Sequence, residues 1–461
     1  MADDRTKRSV LYVVTLTSFL NPFMASAINV ALPAIQEEFQ LDAILLAWVA
    51  TAYLLSCAVF LVPFGRVADI YGRKKVFVIG IAVFTVFSCV AAVSFTPWML
   101  LTARVLQGIG TAMNFATGMA IITSVFPPRE RGRAIGISVA AVYIGMSVGP
   151  FLGGILTDWL TWRSVFAVAV PLGIVGAYFS LAKLSGEWAD AKGERLDLVG
   201  SVLYGLGIVL IMYGVSVLPS PQSFWMLGLG IAFIVGFVRW EYRAVSPVVD
   251  LELFTHNRTF AFSCLAALIN YSATFALTFI LSLYLQYIKG LTPQAAGLVL
   301  VAQPIVMAFF SPFAGKLSDR MEPQTVASLG MAITAAGLLV MTFLTQNTGI
   351  AFVVADLMLL GLGFALFSSP NMNAIVSSVE QRFYGTASGA VSSMRLLGQM
   401  LSMGIATMVF SLYIGHVQIT PASYPDFLKS VTVLFMIFTF LCVLGIFASL
   451  ARGKVNTHDD R

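Results

Sequence analysis

The sequence predicts an all-α integral membrane protein of fourteen spanning helices, arranged as two parallel six-helix halves with an inserted central pair. Three observations carry this prediction. First, 58% of the 461 residues are apolar and only 11% charged, against roughly 25% charged in soluble domains. So few charges do not cover a water-facing surface of this size, and a mean hydropathy of +0.88 places most of that surface against lipid. Second, the apolar residues fall in runs of spanning length, about 20 residues, without the ten-residue apolar/polar alternation of a membrane β-barrel. Third, short motifs recur about 250 residues apart.

In chain order, Arg5, Lys7 and Arg8 precede span one, 10–34, a run longer than the roughly 7–15 residues of a signal-peptide core and therefore read as a retained helix. Glu37-Glu38 separates it from span two, 44–64, which is followed by GRVADIYGRKK. Spans three and four are 76–95 and 98–122, ended by Pro127-Pro128-Arg129-Glu130-Arg131. Spans five to eight are 133–156, 163–183, 198–218 and 223–240. The longest non-spanning stretch, 241–258, leads to spans nine to twelve at 259–286, 294–314, 324–345 and 349–371. Span thirteen, 384–412, is long enough to start as an amphipathic segment, and span fourteen, 429–450, follows the break from Pro421 to Pro425.

An even number of spans puts both termini on one side. With that side cytoplasmic, 22 Lys/Arg lie in cytoplasmic segments and 3 (Arg163, Lys289, Lys429) on the other face, while Arg104 and Arg395 lie within spans. The split follows the positive-inside rule. A multi-pass protein of the cell (cytoplasmic) membrane with both ends inside is expected. The net charge of +5 is then accounted for by topology, and no nucleic-acid partner is expected.

GRVAD (Gly65 to Asp69) closes span two and GKLSD (Gly315 to Asp319) closes span ten, 250 residues later; GRAIG (Gly132 to Gly136) opens span five and GTASG (Gly385 to Gly389) opens span thirteen, 253 later. Matched offsets between spans of the same direction predict an N-terminal half 1–196, an inserted pair 197–242 and a C-terminal half 243–461. Two such halves rocking about a midplane site is the pattern of secondary transporters.

In GRVADIYGRKK, Gly65 permits close helix approach, Asp69 is placed to hold a cation or cap a helix, and Arg73 to bridge the halves. The same loop could simply carry topological charge through Arg73, Lys74 and Lys75, but that needs neither Asp69 nor Gly72. The pattern resembles the major facilitator superfamily, whose signature loop is Gly-x-x-x-Asp-x-x-Gly-Arg followed by basic residues. Span four carries RVLQGIG, and an arginine within a span is costly unless paired or hydrated. Arg104 is similar to the family's second motif, which the resemblance associates with proton coupling; an arginine that only ties helices together is the rival reading. Span five reads GMSVGPFLGG, with Gly145, Gly149, Pro150, Gly153 and Gly154. Gly-xxx-Gly steps clear one helix face and Pro150 bends the helix, and similar segments mark the antiporter branch. INVALPAI (Ile28 to Ile35), the inserted spans and PVVDLELF (Pro247 to Phe254) resemble the fourteen-helix drug:proton antiporter family. That family usually has an aspartate five residues before this Asn; Met24 stands there, and span ten has Gln303 instead of an acid.

Cys57, Cys89, Cys264 and Cys442 sit apart within apolar runs, and His256, His416 and His458 are scattered, so neither disulfides nor a metal site is expected. No cofactor is expected either. AGKLSD lacks the Ser/Thr of a phosphate loop, and no nucleophile, base and orienter cluster, so neither an ATP-driven pump nor an enzyme is predicted. The expected activity is proton-coupled efflux of small amphipathic compounds or drugs by a monomer in the lipid bilayer. The alternatives are a metabolite exporter or uptake carrier of the same fold, or a non-transporting membrane sensor. Polar groups on or beside the spans that line the cavity in similar transporters are Asn29, Asn114, Asn270, Tyr271 and Gln303, with interhelical hydrogen bonding as their other reading. Of 22 carboxylates only Asp356 falls inside a span, 252 residues after Arg104. The near-repeat offset predicts that the two occupy equivalent places and permits a pair, read as proton-coupling with a purely structural salt bridge as the rival.

Overall fold

The computed structural model describes residues 4–184, 186–189, 191–244, 248, 252–379 and 384–453. Its helices are α1 (Asp4–Phe39), α2 (Ala43–Tyr71), α3 (Arg73–Ala92), α4 (Pro97–Val125), α5 (Pro128–Trp159), α6 (Trp162–Ala167), α7 (Ala169–Lys183), α8 (Leu198–Ser216), α9 (Pro221–Glu241), α10 (Glu252–His256), α11 (Arg258–Thr274), α12 (Ala276–Leu283), α13 (Pro293–Leu300), α14 (Ala302–Arg320), α15 (Pro323–Met341), α16 (Ile350–Ser377), α17 (Tyr384–Tyr413) and α18 (Tyr424–Ala451). Among the described residues, fourteen segments are long and apolar enough to cross a membrane. Each coincides with one of the fourteen spans read from the sequence. Half of the segment PVVDLELF, 247 and 249–251, lies outside the described residues.

Several helices outrun their apolar cores. The first spanning segment continues to Phe39 and the second to Tyr71, because a helix satisfies its own backbone and continues into a polar environment until a cap or a glycine stops it. Asp42 begins α2 by accepting the Leu45 N–H at 2.7 Å, and Thr96 begins α4 in the same way through Met99. Large apolar side chains such as Phe95, Trp225, Phe343 and Phe440 are exposed, as a surface facing lipid requires.

The chain forms two compact units. The first comprises Met1–Val249, Thr278–Leu298 and Met403–Phe427, and the second Asp250–Leu277, Val299–Ser402 and Leu428–Arg461. Within each, glycines let helix backbones meet, and the same contacts occur twice. In the first unit a Cβ on Gly110 would lie 2.6 Å from Phe84 N and 2.7 Å from Gly80 O. In the second, a Cβ on Gly363 would lie 2.8 Å from Thr334 N and 2.9 Å from Gly330 O. Gly145 is seated on Phe19 and Phe23 of α1, and Gly398 on Leu268 and Ser272 of α11. Gly108 is seated on Tyr53, and Gly361 on Gln303. These contacts align α2 with α14 at an offset of 250 and α5 with α17 at 253, the offsets of the two sequence echoes. The fold is thus an all-α pseudo-repeat with two further helices, α8 and α9, packed on one another through Gly207 and Gly230.

Gly330→Ala forces a Cβ to within 2.5 Å of Phe367 N and should cost about 1–3 kcal/mol of stability. Gly136→Ala enters open space and should leave the melting temperature of the purified protein unchanged or slightly raised. Equal melting temperatures for the two variants would contradict the packing.

Candidate functional site

GRVADIYGRKK forms an elbow rather than a loop. Gly65 to Tyr71 are the last turns of α2, and Gly72 alone breaks the helix before Arg73 starts α3. Gly72 has φ of 119°, a conformation that L side chains rarely adopt. Arg73 holds Asp69 through Nη2 at 2.7 Å and Nε at 2.8 Å, and donates from Nη1 to Ser124 Oγ at 2.7 Å. Asp69 therefore holds a cation, and that cation is Arg73 of the same motif. These contacts tie the elbow to the end of α4 within the first unit. The expected close helix approach at Gly65 is not made, because a Cβ there would meet nothing within 4 Å.

Arg104 is 0% exposed. Its Nε donates to Val49 O at 3.0 Å and Nη1 to Gln107 Oε1 at 2.5 Å, while the Tyr53 ring lies 4.2 Å beneath the guanidinium. Gln107 passes the chain on by donating to Ser88 Oγ at 2.7 Å. One turn further along α4, Thr111 lies 2.9 Å from Tyr53 Oη and donates weakly to Asn21 Oδ1 at 3.5 Å. The arginine is thus held by dipoles and a π face, a costly charge made tolerable without a carboxylate. Its Nη2 has no partner among the described residues.

Asp356, 5% exposed, lies in the second unit. Neither carboxylate oxygen has a hydrogen-bond partner among the described residues, and Oδ1 faces Gly337 of α15. Contact register corrects the expected equivalence with Arg104. Gly108 and Gly110 match Gly361 and Gly363, so α4 and α16 align at 253 and Arg104 matches Leu357, with Asp356 matching Ala103. One residue is about 100° of helix rotation, which turns the two side chains toward different neighbours in their own units.

The candidate cavity residues separate similarly. Asn270 is fully buried with neither amide atom partnered among the described residues, Asn114 is buried with Oδ1 packed over Gly80, and the Tyr271 ring meets Phe364 edge-on at 5.5 Å. Gln303 is half-buried, and its backbone carbonyl lies against Gly361. Asn21 and Asn270 are repeat mates at offset 249, fixed by Gly145 and Gly398. Asn21 has Thr111 as a partner, whereas the position matching Thr111 is Phe364, which leaves Asn270 without one. Asn21, Tyr53 and Thr111 escaped the sequence reading; of the three only Asn21 carried a signal, standing 249 residues before Asn270.

Span five presents two working faces instead of the single cleared one expected. Gly145, Gly149 and Gly153 step along α1 against Phe19, Phe23 and Ala27, while Pro150 and Gly154 meet Gly297 and Pro293. Around that end of the first unit, Asn29 O accepts from Ser282 Oγ at 2.8 Å, Val30 O from Gln286 Nε2 at 3.0 Å, and Gln36 Oε1 from the Tyr287 hydroxyl. Asn29 therefore enters a closed hydrogen-bonded end through its backbone carbonyl. Ala43 N donates to Val417 O at 3.0 Å at the same end.

Arg452, counted among the tail charges, is a buried staple of the second unit. It donates from Nε to Ser449 O at 2.9 Å and from Nη1 to Asn371 Oδ1 at 3.0 Å, and Nη2 donates to Ser449 Oγ. Burial pushes its guanidinium down to about 10, still charged at neutral pH. No group of three or more His, Cys, Asp or Glu able to hold a metal occurs among the described residues.

Comparison with known proteins agrees with the pseudo-repeat. The sequence profile described as Major Facilitator Superfamily matches residues 14–238 and 263–459. The riboflavin transporter RibZ of Clostridioides difficile (strain 630) is 28% identical over 89% of this chain and 88% of its own. The multidrug resistance protein Stp of Mycobacterium tuberculosis (strain CDC 1551 / Oshkosh) is 30% identical over 89% and 77%. A bacterial homologue of the human lysosomal transporter Spinster, in an inward-facing and unoccupied conformation, superposes with a TM-score of 0.68 at 18% identity, covering 98% of each chain.

Arg104→Lys keeps the charge but loses the planar fork shared by Val49 and Gln107 and the stacking on Tyr53. Hydrogen bonds to a charged group contribute about 1.5–3 kcal/mol, so thermal unfolding in detergent should fall by several degrees. Gln107→Leu, which leaves Nη1 unpaired, should fall comparably, and the double variant by less than the sum.

Proposed function

The chain belongs to the Major Facilitator Superfamily, and on that premise we propose that it is a proton-coupled exporter of small amphipathic compounds across the cell membrane. Small-molecule transport is the activity the superfamily and the relatives support; coupling, direction and substrate are our reading. The repeat divides the sequence into halves 1–196 and 243–461 with the pair 197–242 inserted, the pattern of secondary transporters. The 22 to 3 charge split supports both termini being cytoplasmic, which puts the Gly65 to Arg73 elbow inside. The end closed by Gln36, Asn29, Ser282 and Tyr287 is then the outer one.

One observation carries the coupling. Asp356 is the single carboxylate well inside an apolar span, and it accepts no hydrogen bond among the described residues. An ionised carboxylate away from water and counter-charge is costly in such a place, and protonation removes the charge. Asp356 takes up the exchanged proton when its surroundings close and gives it up when water reaches it. Arg104, held in its own network by Val49, Gln107 and Tyr53, is the second coupling residue of this reading and supplies a fixed charge within the first unit.

Export of drug-like compounds is supported by the Gly-Pro run of span five and by the name of the relative Stp. The riboflavin transporter favours a second reading, movement of a planar metabolite by the same machinery. Asn270, Asn114, Tyr271 and Gln303 offer amide and aromatic groups that suit either, and Met24 in place of a span-one acid favours neutral over multiply cationic cargo.

In proteoliposomes with an imposed pH gradient, Asp356→Asn should abolish gradient-driven accumulation of riboflavin or ethidium while leaving counterflow exchange. Full accumulation by the variant would refute coupling at Asp356. Labelling of a single cysteine introduced at Lys75 should occur only from the cytoplasmic side in intact cells. Labelling from outside would overturn the orientation.

A further inference from the structure

Among its described residues, 184, 186–189 and 191–196, the segment after α7 is no slack connection to α8. Leu184 is buried in an apolar cluster with Val10, Phe77, Ile122 and Val125, against which Trp188 also packs. From that anchor the segment crosses the α2–α3 elbow and bonds to each of its parts. Glu187 Oε1 accepts the Lys74 backbone N–H at 2.8 Å, and Trp188 O accepts the Arg73 N–H at 2.8 Å. Ala191 N donates to Asp69 O at 3.0 Å, Glu194 pairs with Arg66, and the Lys74 ammonium donates to Leu184 O.

Two facts make this more than a surface contact. No side chain of its own caps α3, since Gly72 stands at its N-cap, so the amides of Arg73 and Lys74 in its first turn are satisfied by Trp188 and Glu187 far along the chain. Gly72 is also the residue over which Glu187 lies, and a Cβ there would overlap the Glu187 carboxyl. The glycine thus serves the left-handed turn and makes room for the carboxylate.

We propose that 184–196 is a strap that holds the elbow closed, with Glu187 as its positioning residue. The amides of Arg73 and Lys74 are freed, and Arg73 and Asp69 become able to rearrange, only when the strap lifts. Its meaning for transport rests on the reading above, in which the elbow belongs to the cytoplasmic gate. The strap itself does not, and its test reads the elbow directly, so a chain that moved neither probe would still display it.

The test uses the full chain in detergent or liposomes. Lys192 and Arg195 are exposed tryptic sites within the strap, and cutting there requires the segment to leave its seat. Glu187→Ala removes the acceptor and should raise both the cleavage rate at Lys192 and Arg195 and deuterium exchange of the first turn of α3 by about fivefold, the usual effect of losing a cap. Glu187→Gln, which keeps an acceptor oxygen, should fall between. Trp188→Ala, which loosens the apolar anchor without touching the cap, should raise both readouts too. Cleavage that rises with no change in exchange at Arg73 and Lys74 would overturn the proposal by showing that the strap does not hold the elbow. Unchanged cleavage and exchange in Glu187→Ala and Trp188→Ala would overturn it outright.

Discussion

The cost of leaving a polar group unsatisfied away from water governs this structure. In hydrocarbon no solvent rescues an unpaired donor, so Arg104 recruits a carbonyl from α2, an amide from its own helix and an aromatic face. That demand draws α2, α3 and α4 together, because Gln107 must in turn reach Ser88. The backbone approaches at Gly80, Gly108 and Gly110 are what allow the short distances. Arg452 is held by the same logic in the second unit, through Ser449 and Asn371. Against this background Asp356 and Asn270 stand out, since the fold satisfies neither side chain among the described residues. A buried side chain with no atom satisfied is available for a proton, a water or a solute.

The pseudo-repeat explains how one chain holds both conditions. Glycine contacts recur at offsets of 249 to 253, so the two units share a scaffold while their polar residues have diverged. Asn21 kept Thr111 as partner, and Asn270 lies in the unit in which Phe364 fills the matching place. Similarly, Arg104 and Asp356 lie on matching helices one residue out of step, which points them at different neighbours. Shared packing with unlike chemistry is what a carrier needs if one body is to hold a fixed charge and the other a titratable one.

The spans, their number and the repeat were legible because each rests on composition over some twenty residues or on a motif echo. The elbow at Gly72 was legible as a motif, but its extent was not, since GRVADIY reads as a polar loop while the helix carries on through it to Tyr71. The hydrogen-bonded end around Asn29 was invisible: Ser282 and Gln286 act on backbone carbonyls of Asn29 and Val30, and a carbonyl has no sequence signature. Glu187 was hidden for a related reason, because it caps a helix more than a hundred residues earlier in the chain. The 252-residue spacing of Arg104 and Asp356 was misleading by one position, an error that only backbone contacts at Gly108 and Gly361 expose.

The central claim is that solute and proton cross in opposite directions in one cycle. It is tested most directly with the wild-type protein in liposomes carrying an outward riboflavin or ethidium gradient and no pH gradient, with the lumenal pH recorded. The account predicts lumenal acidification that follows solute exit and collapses when a protonophore is added. Solute leaving at a protein-dependent rate with the lumenal pH unchanged would contradict it.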